Sequence, residues 1–147
     1  MSDDNFACEL PRHHSTDDEI RAILEDYRVI AVVGLSTDAS RPSHGVAAYM
    51  QQAGYRIVPI HPKAETILGE KAYANLREVP AELGVEIVDV FRRPDAVMPH
   101  VEEAIDIGAK VLWLQEGVIN NEAADRAKAA GLQVVMNRCI LKEHKAL

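Results

Sequence analysis

Five short apolar runs rich in β-branched residues recur along the chain, at Val29–Val33, Arg56–Ile60, Val85–Phe91, Val111–Leu114 and Gln133–Met136, and helical patterns stand between most of them. Strands separated by helices cannot pair through tight hairpins. They pair in parallel, through right-handed crossovers that lay helices on both faces of one sheet. The expected fold is therefore α/β, a Rossmann-like, doubly wound, five-stranded parallel sheet in a three-layer αβα arrangement. Numbered along the chain, its strands are expected in the order 3-2-1-4-5. Val29–Val33 is apolar throughout, as a strand buried on both faces must be, whereas Glu86 and Asp89 interrupt the third run and place it nearer an edge.

The intervening segments carry helix signals of their own. Thr16 and Glu19 form a capping box ahead of Ile20, Ile23, Leu24 and Tyr27, spaced i, i+3, i+4, i+7. A helix over residues 43–53 turns Val46, Tyr49, Met50 and Ala53 inward and stops at Gly54. Pro94 opens another, with Val97, Val101, Ala104 and Ile105 on its core face and Gly108 at its end. Asn120 or Asn121 caps a helix over 122–130, and a short helix closes the chain from about Arg138. Between His61 and Gly84 the pattern is weakest. A short helix is expected near 68–74, and Pro59, which lacks a ladder donor, is expected to loosen the end of the second strand. Residues 1–14 have no periodicity and read as a mobile or loosely docked arm, followed by one domain over 15–147.

The first strand runs into a polar loop, Gly34-Leu35-Ser36-Thr37-Asp38-Ala39-Ser40-Arg41-Pro42-Ser43, and then into a helix start. Gly34 permits a sharp turn, the serines and Thr37 supply hydroxyls, and Arg41 is a cation shaped for phosphate. Free N–H groups and the positive end of the helix dipole point at whatever such a loop holds, which makes it an anion site. It is neither a Walker loop, having no G-K-[ST], nor a full G-x-G-x-x-G fingerprint, since no second glycine follows until Gly45.

At 147 residues the chain needs no disulfide or metal to complete its core. Its net charge of −7 disfavours nucleic acid and anionic membranes as partners, so an anionic ligand must be held by a local positive site. Cys8 and Cys139 lie far apart with no C-x-x-C spacing, and no apolar leader or run of about 20 apolar residues is present. The expectation is a cytoplasmic protein with no metal site and no membrane partner. No sequence feature points to a protein partner.

The ligand is narrowed by the end of the second strand. Nicotinamide adenine dinucleotide calls for an acidic residue there to hold the ribose hydroxyls, but the chain reads Ile60-His61-Pro62-Lys63. Cations suit a ribose phosphate, which leaves NADP or coenzyme A, and the missing glycines weigh against NADP. The motifs Val32-Val33-Gly34-Leu35-Ser36, Arg41-Pro42-Ser43, Gly54 to Pro59, Ile67 to Glu70, Val88 to Pro94, Trp113 to Gly117 and Val135 to Cys139 resemble the small single-domain CoA-binding proteins. Their domain is similar to the N-terminal CoA-binding domain of the succinyl-CoA synthetase α subunit. The resemblance spans about residues 16–144 and implies that Ser36, Arg41 and Ser43 lie at the pyrophosphate. It further implies that Pro62 and Lys63 flank the adenosine and its 3′-phosphate, and that Phe91 and Arg92 border the adenine. Gly34, Leu35, Pro42, His61 and Gln115 complete the candidate set, Gln115 as pocket wall. Two positions depart from the usual family pattern, His61 where asparagine is commoner and Asn137 where aspartate is.

No catalytic residue is expected. The chain has no Ser-His-Asp spacing, no H-E-x-x-H and no carboxylate pair on one helix face. His13, His14, His44, His100 and His144 read as solvated or structural, and Cys139 as a structural thiol that could alternatively exchange with the thiol of CoA. The sequence thus describes a module that binds coenzyme A or an acyl-CoA. The alternatives are a small NADP-dependent or acyl-transfer enzyme with an unrecognised catalytic group, and an interaction domain that keeps the fold without the ligand.

Overall fold

The structure, a computed structural model, describes residues 9–147. Along the chain run α1 (Asp17–Asp26), β1 (Val29–Val33), α2 (Pro42–Gln52), β2 (Arg56–Ile60), β3 (Thr66–Ile67), β4 (Glu70–Lys71), β5 (Ile87–Val90), α3 (Met98–Asp106), β6 (Val111–Leu114), α4 (Asn121–Ala129), β7 (Gln133–Met136) and α5 (Ile140–Lys145). Five of the strands form one parallel sheet, ordered β2-β1-β5-β6-β7. Alternate residues of each strand enter two separate cores. Ile30, Val32, Ile87 and Trp113 pack with Ile20 and Leu24 of α1, Ala47 and Met50 of α2 and Ile140 of α5. On the other face Ala31, Val33, Val88 and Leu112 pack with Val101 and Ala104 of α3 and Ala123 and Ala127 of α4. The chain is thus a Rossmann-like α/β protein of three layers.

The third long strand lies elsewhere than the sequence places it. Counting only the five long strands, the order is 2-1-3-4-5, because β5 pairs with β1 on one side and β6 on the other. The two acidic residues that pointed to an edge have partners from other strands and their flanks instead. The Glu86 carboxylate accepts from the N–H groups of Arg28 (2.9 Å) and Val29 (3.2 Å) at the sheet's amino end, and Asp89 is bonded to Gln115. With those charges accommodated, all four residues of β5 are buried. The outer edge of β2 is taken by Tyr73, whose N–H donates to Pro59 O (3.0 Å) and whose carbonyl accepts from His61 N (2.9 Å).

Two local expectations also fail for identifiable reasons. Pro59 does not loosen β2, which stays in register with β1 through Ile60. Its carbonyl faces Tyr73 on the outer edge, so its missing N–H removes no bond to β1. The segment 68–74 forms no helix but a hairpin, β3 antiparallel to β4, turning through Leu68 (φ 55°) and Gly69 (φ 76°). Two successive positive φ values match the right-handed twist of the flanking strands. Leu68 is held in this rarely populated region by Gln51 Nε2, which donates to its carbonyl at 3.0 Å.

Residues 9–14, expected within a mobile or loosely docked arm, are docked. Asn121 at the start of α4 receives Arg12 N on Oδ1 (2.7 Å), donates Nδ2 to Leu10 O (2.8 Å) and donates its own N–H to the Glu9 carboxylate (2.9 Å). His13 Nε2 lies 2.6 Å from Val134 O, so this half-buried histidine is tied to β7 and takes the structural one of its two expected roles. Residues 1–8 of the expected arm, Cys8 included, lie outside the described residues. The capping box of α1 is formed as expected, with Thr16 and Glu19 bonded reciprocally.

Candidate functional site

In an open parallel sheet a crevice forms beyond the carboxyl ends of the strands where the order reverses. Here that point lies between β1 and β5. Gly34 ends β1 at φ 85°, and a β-carbon there would collide with the Phe91 carbonyl oxygen at the end of β5. Only glycine lets the two strand ends lie this close, and the space opening above them is a cavity of about 420 Å³.

One wall is the loop between β1 and α2. Leu35 turns inward and is fully buried, anchoring the loop from below. Ser36 N donates to Ser43 Oγ (3.0 Å), tying the start of the loop to the first turn of α2. Ser43 is 6% exposed, and its hydroxyl proton is not used by this bond, so it can donate to a ligand. Ser36 Oγ accepts from Asp38 N (3.0 Å), and the Asp38 carboxylate accepts from Ser40 N and Oγ at 2.9 and 2.8 Å. Those bonds from Ser40 hold the Asp38 carboxyl below its ordinary range. The acidic residue is thus consumed in shaping the loop. Arg41 is exposed, caps α2 without a side-chain bond, and forms no ion pair among the described residues.

Phe91 and Arg92 form the second wall; Arg92 Nη1 lies 3.3 Å from His100 Nε2, whose Nδ1 lies 3.2 Å from the Glu103 carboxylate. The third wall comes from the ends of β6 and β7 and contributes Gln115, Glu116, Val118 and Cys139. Gln115 Nε2 donates to Asp89 Oδ1 at 2.5 Å, and burial of Asp89 pushes its carboxyl up to about 7. Gly117 N donates to Asn137 Oδ1 (2.8 Å), with Asn137 itself at φ 63°, so two neighbouring loops are fastened together. Asparagine tolerates this left-handed backbone better than most residues. Lys142 Nζ lies 3.0 Å from the Glu116 carboxylate and offsets its charge at the rim.

Of the twelve residues singled out in the sequence, Gly34, Ser36, Arg41, Pro42, Ser43, Phe91, Arg92 and Gln115 line this one cavity. Leu35 lies beneath it in the core. His61, Pro62 and Lys63 follow β2, at the same end of the sheet, and do not line the cavity. His61 Nδ1 accepts from Lys63 N (3.0 Å) and Ala64 N (2.9 Å), so it folds its own corner. Val46, Glu116, Val118 and Cys139 are lining residues outside the sequence-derived set. Glu116 and Cys139 sit at strand ends, where the topology alone could have nominated them. Val46 and Val118 carry no signal that distinguishes them from core valines. Asp89 was legible only as a polar interruption of a strand. Among the described residues no three His, Cys, Asp or Glu side chains are grouped to hold a metal, and no helix is long and apolar enough to cross a membrane.

The donor set of the loop, two hydroxyls and a guanidinium that forms no ion pair among the described residues, fits an anionic group, and Gly34 leaves room for it against the backbone. Residues 28–145 match the CoA binding domain family. The protein YneT of Bacillus subtilis is 41% identical over 126 residues, covering 86% of this chain and 92% of that protein. A structure from Pyrococcus horikoshii superposes with a TM-score of 0.87 at 41% identity, covering 94% of this chain and 96% of the other. A more distant likeness, 30% identity over 74 residues, links 49% of this chain to 10% of the ADP-forming acetate–CoA ligase II of Archaeoglobus fulgidus. A chain with this sheet order, this glycine-started loop and this span of similarity belongs to the CoA binding domain family.

Proposed function

We propose that this protein binds coenzyme A or an acyl-CoA in the cavity between β1 and β5, without catalysing a reaction of its own. The observation that carries the reading is Arg41: in a chain of net charge −7 it stands at the mouth of α2 with no ion pair among the described residues, beside the hydroxyls of Ser36 and Ser43. A charged donor left unpaired next to pre-ordered hydroxyls is what a pyrophosphate requires. Membership of the family and the likeness to part of an acetate–CoA ligase support the same ligand. NADP is disfavoured because the loop lacks the second and third glycines that let a dinucleotide pyrophosphate approach the backbone. Among the described residues no side-chain base is hydrogen-bonded to Cys139 or to the serines of the cavity, which fits binding better than turnover. A CoA ligand and the free thiol of Cys139 both fit a cytoplasmic location.

Calorimetric titration with CoA, acetyl-CoA and NADP tests the proposal, with Arg41→Ala as the partner variant. CoA or acetyl-CoA should bind, NADP should not, and Arg41→Ala should weaken binding by about 1.5–3 kcal/mol, the scale of a hydrogen bond to a charged group. Binding of NADP alone would overturn the assignment.

A further inference from the structure

Asp89 stands in the middle of the sheet, 1% exposed, between Val32 of β1 and Trp113 of β6. Neither neighbouring strand carries a charged residue. A carboxyl group at such a position costs several kcal/mol relative to an apolar side chain, and nothing in the packing requires it. Its one hydrogen-bond partner among the described residues is Gln115, 4% exposed and itself part of the cavity wall.

The bond sets which end of the carboxamide faces the cavity. Glutamine donates from nitrogen and accepts at oxygen, while an ionised carboxylate only accepts. With Nε2 held on Asp89 at 2.5 Å, Oε1 is the end left over. Oε1 has no partner among the described residues, yet no fully buried polar side-chain atom goes without one, so Oε1 is the atom that opens outward. The cavity is therefore polarised. Ser36, Arg41 and Ser43 offer donors on the wall built from the β1–α2 loop, and the Gln115 oxygen offers an acceptor on the wall at the end of β6, beside a Glu116 carboxylate already paired with Lys142.

Resting on the CoA reading above, we propose that Asp89 is a positioning residue that turns the Gln115 carboxamide oxygen toward the cavity, so that this wall selects an N–H, O–H or S–H donor on the bound coenzyme. Phosphate and thioester oxygens are repelled from that wall and accepted by the serine and arginine side. The ligand consequently enters in one orientation, phosphates toward α2 and a donor-bearing group toward β6.

The test is run at pH 8, where the acceptor-only form of Asp89 predominates. In the ligand-free protein, one side-chain amide proton of Gln115, identified by its loss in Gln115→Leu, should resonate well downfield of ordinary glutamine amides and exchange slowly. Asp89→Leu should abolish that signature. CoA affinity should fall about five- to tenfold in Asp89→Leu and in Gln115→Leu, the weight of about one hydrogen bond, and no further in the double variant, because Asp89 acts through Gln115. Multiplying losses in the double variant, unchanged affinity in Asp89→Leu, or an ordinary Gln115 amide signal in the parent would each overturn the proposal. Should Asp89→Leu not fold, Asp89→Asn serves with the same readouts, since its side chain no longer dictates which end of the amide faces it. Failure of the parent to bind CoA would refute the binding reading, and the ligand-free amide spectrum would still decide whether Asp89 orients Gln115.

Discussion

The backbone N–H of Ser36 donates to Ser43 Oγ across 3.0 Å, joining the residue that leaves β1 to the residue that enters α2. This bond sets the width of the loop before any ligand arrives. Ser43→Ala leaves the half-buried Ser36 N–H without its partner and removes a donor from the cavity. Stability should fall by about 1 kcal/mol, and CoA affinity should fall with it. Ser40→Ala, which alters only the exposed Asp38 contact, should cost less on both counts; denaturant melts and titration of the two variants side by side give the comparison.

Gly34 and Gly84 both have positive φ, 85° and 65°, but only Gly34 has a neighbour in the way. Gly84→Ala should cost about 1–2 kcal/mol for the left-handed backbone alone. Gly34→Ala adds a collision with the Phe91 carbonyl and should be the more damaging of the two, with CoA binding lost as β1 and β5 are forced apart. Equal melting temperatures for the two variants would contradict this account of the cavity floor.

Asp89 makes stability depend on pH in a direction opposite to that of a salt-bridged carboxylate. Its folded-state value is raised from 3.8 to about 7, so the folded protein holds a proton that the unfolded chain releases. The contribution is fully present below 3.8 and is lost as pH rises to about 7. Between pH 5 and 8 the parent should lose on the order of 2–3 kcal/mol that Asp89→Asn does not lose. Urea unfolding of both proteins at the two pH values isolates the effect, and parallel pH profiles would refute it.

Lys63 follows β2 and forms no ion pair among the described residues. If it reaches the 3′-phosphate of the ligand, CoA should bind more tightly than dephospho-CoA, and Lys63→Ala should narrow the difference. An affinity ratio unmoved by Lys63→Ala would remove this corner from the site.

The class of the fold, the five long strands and the polar loop after β1 were legible in the chain alone. These follow from local chemistry: β-branched runs, a capping box at Thr16 and Glu19, prolines at helix starts, and Gly34 before a row of hydroxyls. Four strands match their expected spans to the residue, because each is a short apolar run, led by Arg56 or Gln133 in two cases, that ends where Gly34, His61, Gln115 or Asn137 breaks it. What lies between distant segments was decided only by the tertiary structure. The place of β5 at the centre turned on Glu86 and Asp89 finding partners 58 and 26 residues away, contacts that no periodicity can register. The same holds for the docking of residues 9–14 on Asn121 and for the far wall of the cavity, where Val118 and Cys139 join Gln115 only because β6 and β7 lie side by side. Polarity along a chain tells how costly a residue is to bury. Whether that cost is met depends on which side chain the fold brings to meet it.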